Sequence, residues 1–137
     1  MIRQAKFFIR ELIIIIREVK LRVKYMTSKD CIFCKIISGE IPKEFVAQSD
    51  TTVAFEDINP VAETHILIVP KRHIESVGTI EENDGPNLVD MYKLAAKIVK
   101  DKNLEAFRLA FNGGRYQHVL HLHMHLLAGG KVEWSKL

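Results

Sequence analysis

The chain has 137 residues, 47% of them hydrophobic, and a formal net charge of +3. That suffices for one domain with a proper core and one site. The charge is uneven: residues 1–25 carry seven Lys/Arg and two Glu, a net of +5, so residues 26–137 come to −2. No basic stripe remains there to grip a phosphate backbone, which excludes nucleic acid as the expected partner.

From Ile2 to Lys24, basic residues alternate with Phe7, Phe8, Leu12 and the run Ile13 to Ile16, the pattern of an amphipathic basic helix. The apolar run is far shorter than the roughly 20 residues that span a bilayer, and Arg17 and Glu18 end it. Arg10 and Glu11 break a secretory signal, and Val19-Lys20-Leu21 supplies no small-residue cleavage site. Three readings fit: a membrane-surface helix, a partner-binding helix, or sequence upstream of a natural start at Met26. The composition shift near Met26 favours the third, dividing the chain into an extension, 1–25, and a domain, 26–137.

Within the domain, Cys31 to Ser38 reads as a short helix stopped at Gly39, and Phe45 to Gln48 with Thr52 to Glu56 as a hairpin. His65 to Pro70 is a nearly continuous apolar strand. Asn87 to Lys102 spaces Leu88, Met91, Leu94, Ala95, Ile98 and Val99 for a core-facing helix, with Asn87 as its N-cap. Phe107 to Phe111 and Val119 to Leu127 are the last strands. The order predicts an α+β domain with a mainly antiparallel sheet of about five strands, one long and one short helix.

Cys31 and Cys34 are the only cysteines and are spaced Cys-x-x-Cys. They offer no disulfide framework and fit a reducing, cytoplasmic setting. The pair can be a redox motif, half of a zinc site or two small apolar residues; with histidines plentiful and no thioredoxin-like strand before it, zinc with Cys2His2 ligation is favoured.

His121, His123 and His125 alternate with Leu122, Met124 and Leu126. In an extended strand the three imidazoles share one face, while Leu120, Leu122, Met124 and Leu126 share the other and belong to a core. One histidine there would be an ordinary solvated residue. Three in register point to a metal site or to phosphate chemistry, because imidazole can be ligand, nucleophile, acid or base near neutral pH.

His-x-His-x-His followed by Leu126-Leu127 resembles the signature of the histidine triad family of nucleotidyl hydrolases and transferases. The stretches Cys31 to Pro42, Val53 to Pro60 and Thr64 to Ile74 resemble its Hint branch in order and spacing, so the likeness covers roughly residues 30 to 135. It implies that His123 is the nucleophile at the α-phosphorus, that His125 contacts the phosphate and that His65 is a pocket histidine. Asp57 resembles the carboxylate that bonds the ribose hydroxyls. Ile32, Phe33, Ile36, Phe55 and Ile58 resemble the walls around the base, although each equally suits plain core. Asn112 resembles the polar group beside the phosphate, and Gln117, His118 and Trp134 match positions bordering the substrate. His118 stands where the branch usually has a serine, in a shorter loop. Members with Cys-x-x-Cys hold a structural zinc, which here implicates Cys31, Cys34, His73 and His121; no catalytic cofactor is implied, and the Hint branch forms homodimers.

The expected activity is hydrolysis of purine nucleoside phosphoramidates or acyl-adenylates to the monophosphate. The alternatives are a dinucleoside polyphosphate hydrolase of the same family, a catalytically idle nucleotide-binding scaffold, and a zinc hydrolase using the three triad histidines as ligands.

Overall fold

The computed structural model describes residues 2–24 and 29–131, with side chains for 5–17 and 29–131. Helix α1 is Ile2–Lys24. Helix α2, Ile32–Ser38, starts at Cys31, whose sulfur accepts the Cys34 N–H, and stops at Gly39, whose φ of +84° suits glycine alone at little cost.

Five strands follow: β1 Ala47–Gln48, β2 Thr52–Glu56, β3 Thr64–Pro70, β4 Arg108–Ala110 and β5 Met124–Ala128. They form one antiparallel sheet in the order β1-β2-β3-β5-β4. Helix α3, Gly85–Asp101, lies against β2 and β3.

The sheet is covered on both faces, which is why β2 and β3 read as continuous apolar runs. Ala54, Ile66, Ile68, Leu122, Met124 and Leu126 pack with Met91, Leu94, Ala95 and Ile98 of α3. Residues of the opposite parity, Val53, Phe55, Leu67 and Val69, pack with Cys31, Phe33, Cys34 and Ile36 around α2. By this alternation the triad histidines belong to the α2 side.

Some boundaries differ from the sequence pattern. α3 begins two residues before Asn87, with Asp84 in the cap position and Pro86 in the first turn, so the proline starts the helix rather than preceding it. The paired part of β5 begins only at Met124, because Leu122 N–H bonds instead to the Ile74 carbonyl at 2.6 Å. The chain has not yet joined the ladder at Leu120, which is 58% exposed and no part of the core face. At the far end Gly129 has φ +72°, a backbone conformation that strains any side chain, and so favours glycine at the turn out of β5.

Candidate active site

Two adjoining centres sit on the α2 side of the sheet, and backbone groups orient the rings in both. At the first, His121 Nε2–H donates to the Pro70 carbonyl at 2.7 Å. That leaves the Nδ1 lone pair facing Cys31 Sγ at 3.4 Å, Cys34 Sγ at 3.5 Å and His73 Nδ1 at 3.1 Å; Cys34 Sγ and His73 Nδ1 are 3.3 Å apart. Four donor atoms from α2, the turn after β3 and the triad segment lie close enough together to hold a metal ion. Burial holds His121 down to about pKa 4 against the opposing pull of the Pro70 carbonyl, and burial also lowers His73, so both rings offer lone pairs at neutral pH.

The second centre is a cavity of ≈ 890 Å³ beside it. His123 Nδ1–H donates to the carbonyl of His121 at 2.7 Å, so its Nε2 carries the lone pair. Phe33 meets His123 edge-on, with ring centroids 5.2 Å apart, fixing the ring from the side. Burial lowers the His123 pKa, with the His121 carbonyl and Asp57 acting in the opposite sense.

His65 and His125 are diagonal neighbours across β3 and β5, since Leu127 is the direct partner of His65. The Val61 N–H donates to His65 Nδ1 at 3.1 Å, which puts the ring proton of His65 on Nε2. That proton points at His125 Nδ1, 2.8 Å away, with Asp57 Oδ2 at 3.3 Å. His125 must then carry its own proton on Nε2, 3.4 Å from Asn112 Nδ2, and a half-turn of that amide brings its oxygen round to accept the proton. His125 is held down to about pKa 4, first by burial and then by the neighbouring His123 and His65, against Asp57.

Asp57, His65 and His125 also bring ligand atoms within 4.8 Å of one another. The Val61 N–H argues against a metal there, because ligation through His65 Nε2 would drive the proton onto Nδ1, into that donor. Nor do the triad rings converge as ligands of one ion: His121 turns to the cysteines, while His123 and His125 line the cavity.

Of the residues singled out in the sequence, Ile32, Phe33, Ile36, Phe55, Asp57, Ile58, His65, Asn112, His118, His123 and His125 line this cavity together. Asp57 is steadied by the Asn59 N–H on Oδ1 at 2.8 Å. Ile58 is 84% exposed at the rim, so its role as plain core is ruled out. Gln117 is buried outside the cavity lining, its amide donating to the carbonyls of Glu75 and Val119 at 2.8 and 2.9 Å, and so ties the loop before the triad to the turn after β3. Trp134 lies outside the described residues. The cavity also takes Ile41, Pro42, Lys43 and Val61 as walls. The turn chemistry of Ile41-Pro42 marks a loop, but nothing local announces that it folds over β2.

A family model described as the scavenger mRNA decapping enzyme C-terminal binding domain matches residues 30–136. The purine nucleoside phosphoramidase of Escherichia coli K12 is 42% identical over 106 residues, covering 74% of this chain and 89% of that one. A histidine triad protein of Clostridium difficile superposes with a TM-score of 0.73 at 43% identity, covering 77% of this chain and 96% of the other. A HIT family hydrolase of Clostridium thermocellum gives the same TM-score at 40% identity, covering 77% and 95%. The backbone-locked histidines, the sheet that carries them and these likenesses agree: the chain belongs to the histidine triad family, in its Hint-like branch of nucleotidyl hydrolases.

Proposed function

We propose that this enzyme hydrolyses purine nucleoside phosphoramidates or acyl-adenylates to the nucleoside monophosphate through a nucleotidyl intermediate on His123. One observation carries the reading: His123 Nδ1–H is spent on the His121 carbonyl, and the bare Nε2 belongs to the cavity. An imidazole so held attacks phosphorus without first losing a proton. The P–Nε2 bond forms as the bond to the leaving amine or acyl oxygen breaks, and that group departs with the electron pair. The phosphorylated ring becomes cationic, its Nδ1–H still bonded to the carbonyl, which stabilises it. Water then attacks phosphorus, the P–Nε2 bond breaks, and His123 is restored with the monophosphate released. Two displacements retain configuration at phosphorus.

His125 Nε2–H would donate to a phosphate oxygen, with Asn112 beside it, and His65 would hold that tautomer. His118, exposed on the cavity wall, would give a proton to a departing amine. Asp57 would accept from the ribose hydroxyls. Ile32, Phe33, Ile36, Phe55 and Ile58 would enclose the base, and Trp134 would border the substrate. Cys31, Cys34, His73 and His121 would hold a zinc ion. Their separations of 3.1 to 3.5 Å suit the edges of a tetrahedron whose bonds are about 2.0 to 2.3 Å. With four protein ligands and no open position, that ion supplies a structural tie between α2 and the triad segment and no chemistry. The catalytic domain would be residues 26–137, acting as a homodimer in the cytoplasm.

Intact-protein mass spectrometry after a rapid acid-free quench with an adenosine phosphoramidate tests the reading. An adenylyl adduct on wild type and on His125→Ala, absent from His123→Ala, is expected. Turnover without an adduct and abolished by chelators would overturn the covalent route in favour of metal hydrolysis. No adduct and no turnover, with nucleotide still bound, would make the protein a binding module.

A further inference from the structure

Among the described residues, none of helix α1 lines the cavity, and the matched family region begins only at residue 30. Its sequence repeats every seven residues. Ile2, Ile9, Ile16 and Val23 form one row; Ala5, Leu12 and Val19 a second; Arg3, Arg10, Arg17 and Lys24 a third; Glu11 and Glu18 follow the second and third arginines. On a helix the first two rows adjoin, and Phe8 and Ile15 widen them into an apolar arc, with the Arg/Lys row on the opposite half. Every described side chain from Ala5 to Arg17 is exposed, and the large apolar ones between Phe7 and Ile16 are 46% to 74% so. That much contiguous apolar surface facing water calls for an occupant.

The pattern distinguishes the candidates. A two-stranded coiled coil would cover the Ile/Val and Ala/Leu/Val rows. But it would bring two N-terminal segments of net +5 together without the opposite charges flanking the seam that set such pairs. No helix among the described residues is long and apolar enough to cross a bilayer. A helix lying in the plane of an anionic lipid surface meets both demands. The apolar arc sinks to the acyl boundary and the Arg/Lys side chains reach lipid phosphates by extending their stems, while Phe7 and Ile14, on the side of the helix away from the arc, stay exposed. The complementary charge is specific to this segment, because the remainder of the chain, at −2, would be repelled by such a surface.

We propose that α1 is a peripheral anchor that lays the catalytic domain on an anionic membrane surface. The full chain is to be sedimented with vesicles of phosphatidylglycerol and phosphatidylcholine, and with phosphatidylcholine alone, at low and high salt. Two double variants, Leu12→Glu with Ile16→Glu and Arg10→Glu with Arg17→Glu, accompany the wild type, and phosphoramidate turnover in each reports an intact fold. The expected result is binding to the anionic vesicles that falls at least tenfold in either variant and in high salt, with turnover kept. Equal binding to both vesicle types, or no binding to either, overturns the proposal. So does a lipid-free oligomer larger than the variants form, which would make the occupant a second copy of this chain.

Discussion

His65 Nε2 lies 2.8 Å from His125 Nδ1, and the Val61 N–H on the far side of His65 decides which of the two carries the proton between them. One main-chain donor thus fixes two tautomers in series and leaves His125 an N–H donor toward the cavity.

Replacing His65 by Phe removes that control while keeping a ring in the space. His125 then samples both tautomers, and the form with Nε2 bare repels a phosphate oxygen. A loss of roughly tenfold to a hundredfold in kcat with a smaller change in KM is expected, the signature of an interaction strengthened in the transition state. Nitrogen NMR of His125 checks the cause: one tautomer in wild type and a mixture in His65→Phe. An unchanged tautomer with the same loss would reduce His65 to a packing residue.

Much of this site was legible because histidine is a poor choice for a strand face without a task, and because alternation assigns faces. The same reasoning placed His65 to Pro70 as a buried strand and expected the long helix over Asn87 to Lys102, one residue past its end at Asp101. What could not be read are the acceptors and donors of the backbone. Pro70 O, His121 O and Val61 N–H orient three rings, yet almost any residue type there offers the same atoms, proline at position 61 excepted. Their position follows from strand register and from where the chain joins the ladder, which Leu120 shows local alternation to misjudge. The seven-residue repeat of α1 was equally readable, but a repeat tells the shape of a surface before it tells what lies on it.

Asp90 offers a test of stability apart from chemistry. Its carboxylate, on α3, accepts from the hydroxyls of Ser49 and Thr51 in the β1–β2 turn and of Thr52 at the start of β2. Burial pushes its pKa up, but the three hydroxyls outweigh that and hold it below the usual carboxylate range. Asp90→Ala strands these donors and should cost about 1 to 3 kcal/mol of unfolding free energy while leaving kcat and KM unchanged. Urea unfolding alongside steady-state kinetics would show it; a fall in kcat equal to the loss of stability would contradict the separation.

Metal removal should act on the fold. Purified protein is expected to carry one zinc per chain by elemental analysis, and Cys34→Ser to carry less than a tenth of that. Stripping the ion leaves four donors, three of them buried, facing each other without their common partner, so the thermal midpoint should fall by several degrees. Turnover by the fraction still folded should survive, because His123 keeps its carbonyl partner. Immediate loss of all activity with an unchanged midpoint would instead assign the ion to catalysis.

Acid should destabilise the protein well before its carboxylates titrate. Burial, followed by the neighbouring His123 and His65, holds His125 at about pKa 4, whereas in the unfolded chain it titrates near 6.5. Above 6.5 both states leave the ring neutral and it contributes nothing to the pH dependence. As pH falls below 6.5 the unfolded state binds the proton and the folded state does not. Stability is therefore lost through the window from 6.5 down to about 4, where the folded ring takes up its proton too. The slope from this one group is at most about 1 kcal/mol per pH unit once solvent screening is allowed for. His125→Gln removes the titration but keeps a polar side chain, so urea unfolding of wild type and variant between pH 7.5 and 4.5 isolates it. The wild-type curve should be the steeper below pH 6.5, and the two should run parallel above. Parallel curves throughout would mean that His125 takes up its proton in the folded state near 6.5, and the locked chain from Val61 through His65 would then not hold.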